Sequence, residues 1–261
     1  MRGMLRSARR RQNIALRTSA RVRIGMHRKG TMMLIDRAYA PVVTLGPGQR
    51  IAVWTVGCSK QCKGCANPEL WRADPAREMD DAQFADALIG MAQQGGIRRI
   101  TFSGGDPFEQ PESLARVLAA IRPFFDDILV YTGYTIEELH GFADGTLAHL
   151  RGMSHGDAPC AVPQSHQFPP DWTHHACLAR KRTAVKTALG LIDALVDGPY
   201  VESLNDGVCA MRGSSNQRVH VFNDALRDDY NASLEQPRRI QNVHFGDTFM
   251  SIGIHGRPQE A

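Results

Sequence analysis

The chain has 261 residues and a formal net charge of +4, with 43% hydrophobic and 22% charged side chains. That balance suits a globular protein large enough to bury a sizeable core. No run of about 18 apolar residues occurs, which excludes a membrane-spanning helix and predicts a soluble protein.

The first segment is set apart by charge. Ten of the 31 basic residues, nine Arg and Lys29, fall in residues 1–30, which hold no Asp or Glu; the other 231 residues carry a net charge of −6. An unstructured leader, an organelle transit peptide and a nucleic-acid-binding arm all share that composition. The leader is preferred, because neither aromatic residues nor a groove-reading motif accompany the arginines. The body is expected over 31–261, with no nucleic-acid or membrane partner. An apolar secretory core is missing, so a cytoplasmic location is expected, with six cysteines that are reduced thiols or metal ligands rather than disulfides.

Residues 51–56 (IAVWTV) read as a buried strand, and a cysteine-rich loop follows at once. A helix is predicted from Asp80 to Gln94, with Phe84, Leu88 and Met91 on one face and Asp80 or Asp81 as cap. Residues 99–103 (RITFS) read as a second strand, ending in Gly104-Gly105-Asp106-Pro107. A second amphipathic helix runs from Pro111 to Arg122, with Leu114, Val117, Leu118 and Ile121 at helical spacing. A third strand covers Ile128–Thr132, and a short helix starts at Ile136. Residues 151–190, with four prolines in the first half, read as an irregular surface excursion. A strand follows at Leu191–Val196, then Arg218–Phe222 and a hairpin of Asn242–Phe245 with Phe249–Ile254. Alternating strands and helices argue for an α/β fold with a parallel sheet. Polar and glycine residues at each strand end suggest a partial (β/α) barrel, to which the C-terminus adds antiparallel strands.

Cys58-Ser-Lys-Gln-Cys62-Lys-Gly-Cys65 brings three thiols within eight residues. Buried apolar cysteines are common, but not at this density beside Lys60 and Lys63. A zinc site normally takes four ligands, and a cluster ligated entirely by protein needs a fourth cysteine. No fourth ligand lies near in the sequence. A cubane held by three thiolates would leave one iron open to a chelating substrate.

The C-x3-C-x2-C spacing after a first strand resembles the radical S-adenosylmethionine superfamily. Ser103-Gly104-Gly105-Asp106-Pro107 resembles that superfamily's Gly-Gly-Glu turn, with Asp106 in place of Glu. Three further strings narrow the resemblance. They are Cys65-Ala-Asn-Pro-Glu-Leu-Trp71, Tyr131-Thr-Gly133-Tyr134, and Val196-Asp197-Gly-Pro-Tyr200 followed by Arg212-Gly-Ser-Ser-Asn-Gln-Arg218. Together they look like the small activating enzymes of anaerobic ribonucleotide reductase and pyruvate formate-lyase, over roughly residues 33–145 and 188–255.

The resemblance implies a 4Fe-4S cluster on Cys58, Cys62 and Cys65, and S-adenosylmethionine as co-substrate. It implies that Gly64, Cys65, Ala66, Gly104, Gly105 and Asp106 line that co-substrate. Ala66 departs from the Tyr or His common in the family, which leaves a backbone contact there. Tyr131 and Asp197 are further candidates for the pocket, balanced against structural roles for each. The implied partners are a glycyl-radical enzyme and an electron donor such as flavodoxin or ferredoxin. A radical enzyme acting directly on a small molecule or ribosomal peptide is the alternative. A non-enzymatic metal-binding or electron-transfer module fits less well, since it needs neither an open iron nor the Gly-Gly-Asp turn. Cys160 and Cys177, beside His155, His166, His174 and His175, offer a weaker second metal site, and Cys209 reads as a bystander thiol.

Overall fold

The computed structural model describes residues 14–17, 31–150, 170–245 and 248–254. Its strands are β1 (Ile14–Arg17), β2 (Met32–Val42), β3 (Arg50–Thr55), β4 (Glu78–Asp80), β5 (Arg99–Gly104), β6 (Asp127–Tyr131), β7 (Ala194–Asp197), β8 (Arg218–Val221), β9 (Ile240–Phe245) and β10 (Thr248–Gly253). The helices are α1 (Asp81–Gly95), α2 (Pro111–Ile121), α3 (Ile136–Asp144), α4 (Pro170–Leu189) and α5 (Arg227–Leu234). The main sheet runs β1-β2-β3-β5-β6-β7-β8, with β4 paired to β2, and β9 pairs β10 separately. Strands β3, β5, β6 and β7 are mutually parallel, whereas β1, β2 and β8 join antiparallel. The expected α/β class and the antiparallel C-terminal addition are both present.

Helix ends follow their local chemistry. Asp80 accepts from the backbone N–H groups of Ala82 and Gln83 to start α1, and Gly96 ends it in the left-handed region at φ 62°, where an L side chain would be strained. Thr135 and Glu138 form a reciprocal capping box on α3, satisfying two otherwise orphaned donors.

The parallel strands are buried on both faces. Ile51, Val53, Ile100, Phe102, Ile128 and Val130 pack beneath α1, α2 and α4, against Phe84, Leu88, Leu114 and Val185. On the opposite face Tyr39, Ala52 and Trp54 meet Val243 and Ile252 of the β9–β10 hairpin. Beside them, Leu129 and Val196 meet Tyr230 of α5. Helices α1, α2 and α4 on one face of strands in sequential order are what short βα units produce. Two-sided cover explains the unbroken apolar runs in β3 and β6.

Several elements differ from the sequence reading. Ile14–Arg17, inside the basic segment expected as a leader, pair with β2; residues 1–13 and 18–30 lie outside the described residues. Residues 170–189, expected as part of an irregular excursion, form α4, which packs on α2 and α3. Among its residues with described side chains the buried ones, Ala184, Val185 and Ala188, are small and set among many charges, so the apolar stripe is faint. Residues 151–169 lie outside the described residues. Among those described, no helix is long and apolar enough to cross a membrane.

Candidate functional site

The cysteine loop leaves the C-terminal end of β3 and folds back on itself. The Gly57 N–H donates to the Leu70 carbonyl at 2.8 Å and the Cys58 N–H to the Trp71 carbonyl at 3.0 Å, so residues 57–71 close into one unit. Gly57 at φ 102°, Gln61 at φ 44° and Gly64 at φ 73° supply the left-handed turns that reverse the chain within it. A Cβ on Gly57 would meet nothing within 4 Å, while one on Gly64 would lie 2.7 Å from Glu202 Oε1. The 198–205 segment therefore presses against the loop from the end of β7. Lys63 Nζ also reaches Glu202 at 3.0 Å.

The ends of β5 and β6 complete the floor. The Gly105 N–H donates to Thr55 O and the Asp106 N–H to Gly57 O, both at 2.8 Å. Gly104, at φ 98°, would place a Cβ 2.6 Å from the Trp54 and Thr55 backbone, and Gly105 would place one 2.4 Å from Gly57 O. The Gly-Gly pair thus lets two strand ends touch. The Asp106 carboxylate accepts from Phe108 N, Thr132 Oγ1 and Gly133 N, and Asp106 is 1% exposed. Burial pushes its pKa up to about 6, although Lys60 pulls the other way. The side chain ties β5 to β6 and also meets Lys60 of the loop at 3.8 Å.

Cys58, Cys62 and Cys65 are unpaired and half-buried. Burial, with the Asp106 charge next, pushes the Cys58 thiol up to about 11, and burial raises Cys62 as well. Metal binding to these thiols would release their protons. Among the described residues no three His, Cys, Asp or Glu side chains converge at the spacing of a single-ion site. Three sulfur donors on one loop are the soft donor set that iron–sulfur chemistry uses. They stand on a loop fixed from below by strand ends, and by donor chemistry these residues suit a cluster of several irons.

The remaining candidates divide. Gly64, Cys65 and exposed Ala66 lie on the loop itself, and Gly104, Gly105 and Asp106 lie directly beneath it. Asp197 is drawn elsewhere: it accepts from Ile136 N at 2.7 Å and from Arg218 at the β8 edge, and is 3.1 Å from His220. Burial alone would raise its pKa, but Arg218 and the Ile136 N–H outweigh that and lower it. Tyr131 packs with Leu129, Met211 and Tyr230. Its hydroxyl is buried without a hydrogen-bond partner among the described residues, and burial raises its pKa against the pull of Arg50.

Cys177 is disulfide-bonded, which corrects the expectation of a reduced thiol there; sequence spacing does not reveal which thiols meet in space. Cys160, His155 and His166, half of the expected second metal site, lie outside the described residues. Cys209 donates to Asp206 at 2.8 Å.

Glu109 and Glu202 carried no sequence signal. With Lys60 and Tyr134, which lie in the quoted strings, they pack on or under the loop through contacts between distant segments. Gln217 shows what the Arg-Gly-Ser-Ser-Asn-Gln string does. Its amide oxygen accepts from Gly213 N at 2.8 Å and its amide nitrogen donates to Gly198 O at 2.9 Å, which holds the segment against the loop.

This arrangement defines an α/β protein with a loop carrying three free cysteines at the end of a parallel strand. The family described as a 4Fe-4S single cluster domain matches residues 44–151, which include all three cysteines. The chain is 29% identical over 192 residues to the anaerobic ribonucleoside-triphosphate reductase-activating protein of Salmonella typhi, covering 70% of this chain and 95% of that one. The protein of that name from Escherichia coli K12 is 28% identical over 190 residues, again 70% of this chain and 95% of its own. A phage T4 protein with the same name matches at 28% over 111 residues, 41% of this chain and 70% of the phage protein. The resemblance to reductase-activating proteins, read from the motifs, therefore extends over most of the chain.

Proposed function

We propose that this chain is an iron–sulfur enzyme that reductively cleaves S-adenosylmethionine to activate a glycyl-radical partner such as anaerobic ribonucleotide reductase. The observation carrying the proposal is the three-cysteine loop at the end of β3, inside the 4Fe-4S match, in a chain similar to reductase activators. Cys58, Cys62 and Cys65 would hold the cluster. When bound and reduced, it supplies the electron that splits the sulfonium bond, giving methionine and a 5′-deoxyadenosyl radical able to take hydrogen from a partner glycine.

The chain's own residues position that chemistry. The backbone of Gly64, Cys65 and Ala66 on one side, and of Gly104, Gly105 and Asp106 on the other, would flank the co-substrate. Glycines there allow close approach without a Cβ. Tyr131, with its unpaired hydroxyl, is a further candidate contact, as is Asp197, less directly placed. Four parallel strands in sequential order with α1, α2 and α4 on one face support a partial (β/α) barrel, whose strand ends are where such sites form. We take the enzyme to be cytoplasmic, with flavodoxin or ferredoxin as electron donor.

The test is anaerobic reconstitution. The wild-type chain should take up about four irons, and Cys58→Ala, Cys62→Ala or Cys65→Ala should lose the cluster absorbance and all formation of 5′-deoxyadenosine. Mixed with S-adenosylmethionine, reductant and a candidate reductase, the wild type should raise a doublet electron-spin signal on that reductase. The signal should vanish when the partner's target glycine is replaced by alanine. Full cleavage activity in Cys62→Ala would defeat the assignment, whereas deuterium transfer from a small molecule alone would favour direct substrate modification.

A further inference from the structure

Two lysines of the cysteine loop behave in opposite ways. The Lys63 side chain is 91% exposed, as a loop lysine ordinarily is. Lys60, between Cys58 and Cys62, turns inward and is only 8% exposed. Burying an ammonium is costly unless it is paired, and Lys60 is paired on every side. Its Nζ lies 3.2 Å from Glu109 Oε1, 3.8 Å from Asp106 Oδ2 and 3.3 Å from Ser59 Oγ. It also stands 3.0 Å from the centre of the Tyr134 ring, a cation–π contact. The stem rests on Gly133, where a Cβ would come within 2.8 Å of Lys60 Cγ.

One side chain thus joins the loop after β3 to the ends of β5 and β6. Glu109 closes the knot. Its Oε1 also accepts from Ser59 N at 3.1 Å, from Ser59 Oγ, and from the Tyr134 hydroxyl at 3.0 Å. Lys60 and the carboxylates of Glu109 and Asp106 are therefore held largely out of water beside Ser59, the neighbour of Cys58. Charges so placed are screened weakly. None is required for ligation, since the donors are the cysteines.

We propose that Lys60 is the positioning residue of the cysteine loop, and that its charge, set against Glu109, governs how readily the group held by Cys58, Cys62 and Cys65 accepts an electron. The inference rests on the reading that those cysteines hold a 4Fe-4S cluster. Adding an electron makes the site more negative. Lys60 favours that change and Glu109 opposes it, so removing each charge singly shifts the equilibrium in opposite directions. A merely structural pair would not do this.

The experiment uses the full chain, reconstituted anaerobically as wild type, Lys60→Met, Lys60→Arg and Glu109→Gln. Iron content is assayed, and the cluster is titrated with dithionite in the presence of redox mediators. Lys60→Met should lower the reduction equilibrium constant at least tenfold, about 59 mV for one electron, and Glu109→Gln should raise it by a similar factor. Lys60→Arg should keep the parent potential. Release of iron to a chelator should be faster in both Lys60→Met and Glu109→Gln. Unchanged potentials, or shifts in the same direction, would overturn the inference while leaving the cluster assignment standing. If only one variant retains the cluster, the sign of its shift decides. Loss of the cluster from both would leave a structural role only and also overturn it. A wild type that takes up no iron would defeat the cluster assignment, and this inference with it.

Discussion

Gly105 shows how a motif residue can be needed for a reason nearer than its ligand. Read from the sequence, the Gly-Gly turn serves close approach by a bound molecule. In the structure, a Cβ on Gly105 would already lie 2.4 Å from Gly57 O, and the Asp106 N–H donates to that same carbonyl. Gly105→Ala should therefore force apart the ends of β3 and β5 beneath Cys58. Overpacking of this kind costs about 1–3 kcal/mol. Thermal unfolding of the unloaded chain should show it, before any co-substrate is added. An unchanged melting temperature would mean that the loop yields freely, returning the glycine's role to the ligand alone. The Asp106 side chain teaches the same lesson, because it is consumed by Phe108, Thr132 and Gly133 within the fold.

Among the elements, those that were legible in the sequence have strong apolar periods or clear caps. β3, β5, β6, α1 and α2 were readable for that reason. β2 was not: its eleven residues include Asp36, Arg37 and Pro41, and its pairing with β3 shifts register twice, so no period of two survives. α4 and α5 hide similarly; α5 buries only Tyr230. Within the site, the three cysteines and the Gly-Gly turn were legible because their spacing is local. Lys60–Glu109 and Gly64–Glu202 were not, since those partners meet only after folding. The Arg218 bridge from β8 to α3 is another such contact: its guanidinium makes two hydrogen bonds to Glu137, at 2.7 and 2.6 Å. Arg218 beside it holds the Glu137 carboxyl down to about 2, against an ordinary 4.5. A lowered folded-state pKa means that the pair's contribution is complete above about pH 4.5 and is lost as the pH falls through about 2. Both side chains are largely exposed, so the effect on stability should be slight. An NMR titration should nevertheless find Glu137 titrating near 2 in the wild type and moving toward 4.5 in Arg218→Gln. An unmoved titration would mean that the bridge does not persist in solution.

At the scale of the whole molecule, the face of the sheet opposite α1, α2 and α4 is tied together by one buried pair, Arg50 and Asp127, each fully enclosed. Arg50 donates to Asp127 Oδ2 at 2.5 Å, to Thr101 Oγ1 at 2.7 Å and to the Ile100 carbonyl at 2.7 Å. The Tyr230 hydroxyl of α5 donates to Asp127 Oδ1 at 2.8 Å. Three neighbouring strands and a C-terminal helix thus share one charge pair, close to where β3 and β6 begin and at the end away from the cysteines. Such a pair adds little beyond an apolar substitute, because desolvation offsets most of the attraction. Breaking it is another matter. Asp127→Ala would strand the Arg50 guanidinium in a dry interior and should cost about 3–5 kcal/mol, a large share of the roughly 5–15 kcal/mol that keeps a domain folded. Replacing both, Arg50→Met with Asp127→Leu, removes the unpaired charge as well as the pair, so it should be less damaging than Asp127→Ala alone. Denaturant unfolding of the three chains gives the comparison directly. If the double variant proves the less stable, the network is worth more than its desolvation. The base of the sheet would then be held by specific hydrogen bonding rather than by apolar packing around a tolerated charge.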